Sequence, residues 1–187
     1  MFEELSTHRC KIRRFRPSDV GGLSEVLGDG EVMRYVEPPF DYAKTEKFVE
    51  KYGLVDEPKI FALIYDKSKF SESNEAQSTC LNEGDSSREV VAGHVIFHAL
   101  SDDALEAVLG KGKVYEIGWI LRCDLWGRGI ASATTSALIE HAKTQGINAL
   151  VIECVPQNLA TIKIADKYRF EECNVAGNLK QFVLPLC

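Results

Sequence analysis

The sequence predicts a single domain built on a mixed α/β sheet, and three observations support this. The run Val114–Leu121 is apolar and rich in aromatic and β-branched residues, as in a buried strand. Residues 130–143 carry apolar side chains at three- and four-residue spacing, which indicates an amphipathic helix that Gly146 ends. A second buried strand is predicted at residues 149–155. Parallel pairing of the two strands across this helix would give a central βαβ unit.

Turn and capping residues define the remaining elements. Before the central unit we expect a strand at 10–15, a helix at 20–27 capped by Ser18 or Asp19, a short helical piece at 31–36, a helix at 42–52 capped by Asp41, and strands at 60–65 and 90–99. After it we expect a helix from 159 to 168 capped by Asn158, and closing strands at 170–173 and 179–186. The predicted order, leaving aside a short helix at 101–109, is β-α-α-α-β-β-β-α-β-α-β-β.

All 187 residues are assigned to one domain (1–187), which is long enough to bury a sizeable core. Residues 66–89 are rich in serine, asparagine and acidic side chains, so they cannot bury much apolar area. We expect a surface loop there rather than a domain boundary, because a strand resumes directly after it.

Composition and charge exclude several classes of function. The formal net charge of −6 argues against nucleic-acid binding and favours a cationic or amine-bearing partner. No apolar run reaches the length of a membrane span and the first residues do not resemble a signal peptide, so we expect a cytoplasmic protein without membrane contact. The six cysteines are scattered without Cys-x-x-Cys spacing, which argues for reduced thiols and against a metal site.

The turn between the central strand and its helix has the pattern of an anion site. Residues 126–132 are Trp-Gly-Arg-Gly-Ile-Ala-Ser, with Arg128 between the two glycines. Glycines let the backbone approach a ligand, and the first N–H groups of a helix point outward at the positive end of its dipole. This arrangement suits a pyrophosphate. The alternative is a tight turn whose glycines lie at a crowded crossing.

Several short motifs, taken in order along the chain, resemble one family. They are Glu116-Ile117-Gly118-Trp119-Ile120-Leu121, Asp124-Leu125-Trp126-Gly127-Arg128-Gly129-Ile130-Ala131, Asn158-Leu159-Ala160-Thr161 and Asp166-Lys167-Tyr168-Arg169-Phe170, with Arg13-Arg14-Phe15-Arg16-Pro17-Ser18-Asp19 and Glu31-Val32-Met33-Arg34-Tyr35 nearer the N-terminus. Together they resemble the GNAT superfamily of acetyl-CoA-dependent N-acetyltransferases, and most closely its RimJ/RimL-type branch. The resemblance covers most of the chain, except the loop at 66–89.

The resemblance implies a mostly antiparallel sheet whose central βαβ unit is splayed to admit acetyl-CoA, with helices on both faces. Acetyl-CoA would be the acyl donor, and no metal is implied. Backbone groups of Ile120, Leu121 and Arg122 would pair with the pantetheine arm, and Asn158 would reach the pantetheine or the substrate. The pyrophosphate would bind the turn formed by Trp126, Gly127, Arg128, Gly129, Ile130, Ala131 and Ser132.

The chemistry that the resemblance implies is direct attack of a primary amine on the thioester in a ternary complex. An alkylammonium must first lose a proton. Glu116 is the candidate to relay it, since on an alternating strand it shares a face with Gly118 and Ile120. Its alternative roles are a partner for an arginine or a solvated acid at the cleft edge. The N–H of Leu121 is the candidate donor to the tetrahedral oxyanion.

Three positions depart from the family pattern. Trp126 stands where many members of the superfamily have glutamine or arginine, although the RimJ/RimL-like branch often has tryptophan there. Ala165 stands where many relatives have a tyrosine that protonates the leaving thiolate. No general acid is therefore carried over, and solvent would supply that proton. Arg169 stands where a glycine before Phe170 is usual, which takes from a turn its most permissive residue.

Two rival functions remain open at this point. Gly127, Gly129 and Ser132 nearly match a dinucleotide fingerprint, and Glu153 lies at the end of the next strand, as in an NAD-dependent oxidoreductase. Against this, a four-residue loop and Trp126 separate the strand from the first glycine, and little chain follows Glu153. The second rival is a non-catalytic CoA-binding regulatory module.

The acceptor amine is left open by the sequence. A protein N-terminus, a polyamine, an amino acid or an aminoglycoside-like compound would each fit the chemistry. Acceptor choice would lie with the helices at 20–27 and 42–52 and the loops near 101–112. Residues past Leu179 would line the cleft or form a homodimer contact. Cys123 is either a nucleophile near the site or, more simply, a loop or packing thiol.

Overall fold

The computed structural model describes residues 2–66, 89–100, 112–173 and 178–186. These residues form strands β1 (Glu4–Ser6), β2 (Cys10–Arg13), β3 (Ile60–Asp66), β4 (Glu89–Ala99), β5 (Val114–Leu121), β6 (Ala149–Cys154), β7 (Glu171–Cys173) and β8 (Lys180–Pro185). The helices are α1 (Val20–Leu27), α2 (Gly30–Met33), α3 (Tyr42–Tyr52), α4 (Ile130–Thr144) and α5 (Leu159–Lys167), with 3₁₀ turns at Pro17–Asp19 and Cys123–Leu125. The predicted helix at 101–109 and most of the predicted loop at 66–89 lie outside the described residues.

The eight strands form one sheet in the order β1-β2-β3-β4-β5-β6-β8-β7. Every neighbouring pair is antiparallel except β5 and β6, which are parallel and joined by α4. Helices α1, α2 and α3 pack on one face, and α4 and α5 pack on the other. The predicted fold class, a mostly antiparallel sheet with a central βαβ unit and helices on both faces, is confirmed.

Strand β3 shows how one sheet serves two cores. Ile60, Ala62 and Ile64 are buried with the apolar side chains of α1, α2 and α3. Phe61 and Leu63 point to the opposite face and are buried with those of α4 and α5. Side chains alternate between the faces of a strand, so a strand covered on both sides is apolar throughout.

Local capping signals place the helix starts where the sequence predicts them. Asp41 accepts a hydrogen bond from the N–H of Lys44 at 2.7 Å, and Asn158 accepts one from the N–H of Thr161 at 3.2 Å. Each bond satisfies one of the N–H groups that a helix start leaves unpaired. The predicted bounds of α1, α3 and β5 are confirmed without a shift.

The structure differs from the prediction at two elements near the N-terminus. β1 is absent from the predicted order, because its three residues include polar Glu4 and Ser6 and give no alternation to detect. α2 begins at Gly30 and ends at Met33, earlier than the predicted piece at 31–36. Asp29 caps it by accepting the N–H of Glu31 at 2.8 Å, a capping role that the sequence analysis does not assign to this residue.

β5 and β6 pair over only three residues. Their register runs from Val114 opposite Ala149 to Glu116 opposite Val151. Beyond it, β5 continues to residue 121 and β6 to residue 154 without pairing to each other. The two strands therefore diverge and leave a V-shaped opening, with the start of α4 at one side and the start of α5 at the other.

A β-bulge in β4 supports the end of β5 that borders this opening. Leu63 pairs with Gly93 and Ile64 pairs with Val91, so Ala92 is an extra residue in β4. Its carbonyl oxygen accepts the N–H of Arg122 at 2.9 Å.

Gly93 is held at φ 151° against the backbone of β5. A Cβ at this position would lie 1.8 Å from the carbonyl oxygen of Ile120. The contact is with backbone, so no side-chain rotation can relieve it. Glycine is therefore required at the bulge.

Gly93→Ala should lower the free energy of unfolding by about 3 kcal/mol, because both the clash and the left-handed backbone oppose a side chain. Chemical denaturation of the purified variant measures this. Gly21→Ala is the control, since a Cβ at Gly21 of α1 meets nothing within 4 Å and alanine favours a helix. Equal stability of the two variants would contradict the role given to the bulge.

Arg169, two residues after the end of α5, adopts φ 61°, a backbone conformation that residues with a side chain disfavour. Its N–H donates to the carbonyl of Asp166 at 3.0 Å, and the N–H of Phe170 donates to that of Ala165 at 3.0 Å. This is a left-handed helix end of the kind that glycine usually occupies. An arginine at this position, where the family usually has glycine, therefore strains the backbone locally.

Arg169→Gly should raise the free energy of unfolding by about 1 kcal/mol, because it removes the left-handed strain while keeping both terminal hydrogen bonds. Thermal and denaturant unfolding measure the change. Lys163→Gly, in the interior of α5, should instead destabilise by about 1 kcal/mol. A loss of stability in Arg169→Gly would show that the arginine side chain outweighs the backbone strain.

No helix within the described residues is both long and apolar enough to cross a membrane. The same part of the chain holds no group of three histidine, cysteine, aspartate or glutamate side chains arranged to bind a metal ion. Cys10, Cys123, Cys154 and Cys173 are free thiols.

Candidate active site

Successive residues of β5 direct their backbone N–H and C=O groups alternately toward β4 and toward the other edge of the strand, where the opening lies. The carbonyl of Val114 accepts the N–H of Leu100 at 2.8 Å, and the N–H of Arg122 donates to Ala92, so both ends of β5 bond to the β4 side. Successive residues of a strand direct their N–H and C=O groups to opposite sides. The even-numbered residues of β5 therefore direct their backbone N–H and C=O groups toward β4. The N–H of Ile117 takes part in the pairing of Glu116 with Val151 of β6, so the residues directing unpaired N–H and C=O groups toward the opening begin with Trp119 and Leu121.

This alternation corrects part of the predicted pantetheine contact. The backbone of Ile120 faces β4, and Arg122 has its N–H on Ala92 and its side chain on Asp124 at 2.8 Å. Neither residue can extend the sheet into the opening. Of the three predicted backbone partners, only Leu121 is placed for that role, and Trp119 joins it.

Trp126 ties the turn before α4 to the end of β5. Its indole N–H donates to the carbonyl oxygen of Leu121 at 2.7 Å, while 42% of the residue's surface remains exposed. The carbonyl of Leu121 is thus already bonded, and its N–H is the group left to the opening. This bond fixes the distance between the strand edge and the turn.

The turn itself has the geometry of an anion site. Gly127 has φ 72° and Gly129 has φ 73°, both in the left-handed region. None of the described residues accepts a hydrogen bond from the backbone N–H groups of residues 127–132, and no described side chain caps α4. Arg128 is exposed and forms no ion pair with a described carboxylate. Unpaired N–H groups at the positive end of a 15-residue helix favour a bound phosphate. The residues predicted to bind the pyrophosphate, 126–132, form this turn and the first turn of α4.

Asn158 stands across the opening, after the end of β6. Its side-chain oxygen caps α5 on the N–H of Thr161, and its own N–H donates to the carbonyl of Val155 at 3.0 Å. The side-chain amide N–H groups are therefore the part of Asn158 that can donate to a ligand. The cap also holds the side chain in one position beside the opening.

Glu116 lies on the sheet face covered by α1, α2 and α3. It is cross-strand to His98, just as Gly118 is to Ile96, and Ile96 packs with the core of that face. Nε2 of His98 lies 3.1 Å from Oε2 of Glu116, and their side chains are 21% and 24% exposed. The hydrogen bond to Glu116 raises the pKa of His98 above its usual 6.5. The ion-pair partner of Glu116 is thus a histidine and not the arginine considered from the sequence.

His98 is not among the site residues predicted from the sequence. Its pairing depends on the register of β4 against β5, and the connection between these strands is too long for turn geometry to set that register. A histidine and a glutamate on consecutive predicted strands were the only signal.

His94, four residues before His98 and on the same face, is in a different environment. It is 4% exposed, its ring lies 5.4 Å from that of Phe48, and its Nδ1 has no hydrogen-bond partner within the described residues. Burial lowers the pKa of His94 to about 4. This histidine is therefore neutral at physiological pH and belongs to the core.

A cavity of about 530 Å³ lies between α2 and the end of β6. Met33, Tyr35 and Pro38 line it from the α2 side, and Val155 and Gln157 line it from the other side. It belongs to the face that also carries Glu116, and its walls are mixed apolar and polar. This is the size range of small-molecule sites.

Cys123 is a poor candidate for a nucleophile. Its thiol donates to the carboxylate of Asp29 at 3.2 Å. Burial raises the pKa of the Cys123 thiol, and the neighbouring carboxylate of Asp29 raises it further. A thiol becomes nucleophilic as the thiolate, so both effects oppose reactivity. Cys123 is exposed in the 3₁₀ turn that follows β5, so it is a loop thiol.

The acetyltransferase (GNAT) domain model matches residues 9–171 of the chain. The chain belongs to the GNAT acetyltransferase family. The matched range contains every element from β2 to α5, including both sides of the opening. This membership makes the protein an acyltransferase and excludes the NAD-dependent oxidoreductase.

Relatives and solved structures agree with the assignment. The uncharacterized N-acetyltransferase YnaD of Bacillus subtilis is 23% identical over 182 residues, covering 93% of this chain and 89% of YnaD. The structure of RimL, a ribosomal L7/L12 alpha-N-protein acetyltransferase, matches with a TM-score of 0.66 at 17% identity, covering 99% of this chain and 95% of RimL. That of YncA from Salmonella typhimurium, solved with its cofactor acetyl-CoA, matches with a TM-score of 0.59 at 17% identity, covering 95% and 94%. These likenesses to RimL and YncA show a shared fold.

The buried His94 should make the protein acid-sensitive. Its folded pKa is below its unfolded value of 6.5, so between pH 6.5 and 4 the unfolded chain binds a proton that the folded one does not. Stability is therefore lost as the pH falls, by about 3 kcal/mol at pH 4. Denaturant unfolding from pH 7 to 4 measures this. His94→Leu should lose less stability over that range, and identical acid slopes would contradict the assignment.

Proposed function

We propose that this protein transfers the acetyl group of acetyl-CoA to a primary amine by direct attack in a ternary complex. The observation that carries this proposal is the unpaired edge of β5, which ends beside a turn whose N–H groups are free for a phosphate. An extended arm linked to a pyrophosphate matches both features at once. A cytoplasmic location is part of the proposal, supported by the free thiols of the described residues.

Acetyl-CoA would bind as an added strand along β5. The amide groups of the pantetheine arm would pair with the backbone of Trp119 and Leu121, and the amide of Asn158 would donate from the other side of the opening. The pyrophosphate would receive the N–H groups of Gly127, Arg128, Gly129, Ile130, Ala131 and Ser132. Ile120 and Arg122 would flank the arm without backbone pairing.

A second cavity, of about 430 Å³, supports the placement of the nucleotide end. A Cβ at Gly129 would lie 3.3 Å from Nε of Arg9, and Nζ of Lys167 donates to Oγ of Ser132 at 2.6 Å. Both cations line this cavity, and no carboxylate is among its described lining residues. In a chain with a net charge of −6, such a groove favours a phosphorylated nucleoside.

Glu116 would act as the base. The amine gives a proton to the free oxygen, Oε1, of Glu116, since Oε2 faces His98. The neutral amine nitrogen then bonds to the thioester carbonyl carbon, the C–S bond breaks as the CoA thiolate leaves, and the nitrogen gives its surplus second proton to solvent, which leaves a neutral amide. The thiolate takes its proton from solvent, because Ala165 has no acidic group and the hydroxyl of Tyr168 donates to the carbonyl of Ser132 at 2.6 Å.

Strand spacing changes the proposed oxyanion donor. Leu121 is five residues from Glu116, a separation of roughly 16 Å along a strand. A carboxylate cannot reach an amine attacking a carbonyl that far away. The N–H group of Trp119 faces the same opening, lies beyond the last residue paired with β6 and is closer to Glu116. It is the better candidate for the oxyanion, and Leu121 is left to bind the arm.

The acceptor would occupy the cavity of about 530 Å³ between α2 and the end of β6. It borders α2, which packs on the face that carries Glu116, and the amine of a bound acceptor would extend from it toward that carboxylate. The cavity suits a small amine or the first residues of a protein N-terminus. Tyr35 and Gln157 are among the residues that would contact it.

Glu116→Gln should separate binding from chemistry. Acetyl-CoA at a hundred times its Kd should raise the free energy of unfolding of both wild type and variant by about 2.7 kcal/mol. Turnover of an amine found by thiol-release screening should fall by about a hundredfold in kcat with an unchanged KM for acetyl-CoA, because only the base is lost.

Glu50→Gln, an isosteric change at an exposed position of α3, is the control and should leave both measurements unchanged. Absence of any stabilisation by acetyl-CoA would contradict the proposed donor. Binding with an undiminished kcat in Glu116→Gln would contradict the proposed base. Binding by wild type without turnover of any amine would favour a CoA-binding regulatory module.

A further inference from the structure

The histidine beside Glu116 is oriented on both of its ring nitrogens. Nδ1 of His98 lies 2.9 Å from the carbonyl oxygen of Ala99, and Nε2 lies 3.1 Å from Oε2 of Glu116. A carbonyl oxygen only accepts hydrogen bonds, so Nδ1 carries a hydrogen. Nε2 is therefore the atom that gains or loses a proton, and it faces the carboxylate.

Two charged groups of the described residues face His98 from different elements. Glu116 of β5 raises the pKa of His98, and the carbonyl of Ala99 adds to this. Lys59, before β3, lowers it, as does partial burial. The sum is a raised pKa. The imidazolium is thus stabilised by one neighbour and opposed by another, and each can be removed separately.

A lone carboxylate is a weak base for this reaction. An ordinary glutamate has a pKa of about 4.3 and an alkylammonium one of about 10, so a transferred proton would return at once. General-base efficiency rises as the pKa of the base approaches the working pH. An imidazole hydrogen-bonded to the carboxylate narrows the pKa difference between acceptor amine and base, because the proton can pass on to a group whose pKa is nearer neutral pH.

We propose that His98 acts through Glu116 as a positioning residue, fixing Oε2 of the carboxylate and holding on Nε2 the proton taken from the amine. The proposal rests on the proposed function of Glu116. The amine N–H bond breaks as the proton passes to Oε1 of Glu116. Rotation of the carboxyl group then brings this O–H to His98, where the O–H bond breaks as an Nε2–H bond forms, so that Glu116 is again a carboxylate. His98 then releases the proton to solvent, which its 21% exposed side chain contacts.

The pH profile of kcat/KM tests this role. In the wild type the acid limb should lie above pH 6.5, the ordinary value for histidine, because activity requires His98 to be unprotonated. In His98→Gln the limb should move down by more than about one pH unit, toward that of a lone carboxyl group. The plateau should also fall, by about tenfold, since the remaining base is weaker.

Lys59→Gln gives a matched test of opposite sign. Lys59 is exposed, and its removal takes away a charge that lowers the pKa of His98. The acid limb should move up by a few tenths of a pH unit at an unchanged plateau. Structural damage cannot produce opposite shifts in the two variants.

NMR titration of the histidine ring protons provides a readout that needs no acceptor. His98 should titrate above pH 6.5 in the wild type and lower in Glu116→Gln. The inference is overturned if the acid limb stays in place in His98→Gln while Glu116→Gln still loses turnover. It is also overturned if the pKa of His98 does not respond to Glu116. An unchanged kcat in Glu116→Gln would instead overturn the proposed function on which it rests.

Discussion

The whole arrangement depends on the unequal pairing of β5 with its two neighbours. Seven register pairs join it to β4, and three join it to β6. Backbone N–H and C=O groups inside a sheet cost free energy when they lack partners, so an unpaired edge is retained only where another group can bond to it. The opening between β5 and β6 is therefore best understood as a strand position reserved for a ligand with its own amide groups.

Other contacts hold β5 in place while β6 diverges. The bulge at Ala92 and Gly93 lets β4 follow β5 to its end, and the N–H of Arg122 is bonded there. The indole of Trp126 then joins the carbonyl of Leu121 to the turn before α4. The strand edge and the turn are thus one rigid unit. A ligand that spans both gains from their fixed spacing, since neither has to be ordered on binding.

Much of the fold and part of the site are encoded in local signals. Apolar periodicity marks α4 and β5, side-chain caps mark α3 and α5, and two glycines mark the anion turn, so each is legible from a few neighbouring residues. Arg169 also belongs here, because a missing glycine correctly indicates a turn under strain. The short β1 escapes detection because three partly polar residues carry no periodicity.

What local signals cannot supply is register. The direction of the backbone at Ile120 and Arg122 depends on which residues of β5 bond to β4, and that is set by long-range pairing. The contact of His98 with Glu116 has the same origin. A shift of one residue would turn Glu116 to the opposite face and separate the pair. Motif positions were therefore predictable, whereas the roles of single groups within them were not.

The two histidines of β4 show how sharply register divides structure from chemistry. His94 and His98 share a face and are four residues apart, with Ile96 between them. His94 is enclosed beside Phe48 without a partner for Nδ1, so burial keeps it neutral. His98 meets a carboxylate where the face begins to open to solvent, so the same ring is held as a readily protonated group. The buried core on this face therefore ends near Ile96. Of the two histidines, only His98, which lies beyond that position, can exchange a proton with solvent near neutral pH.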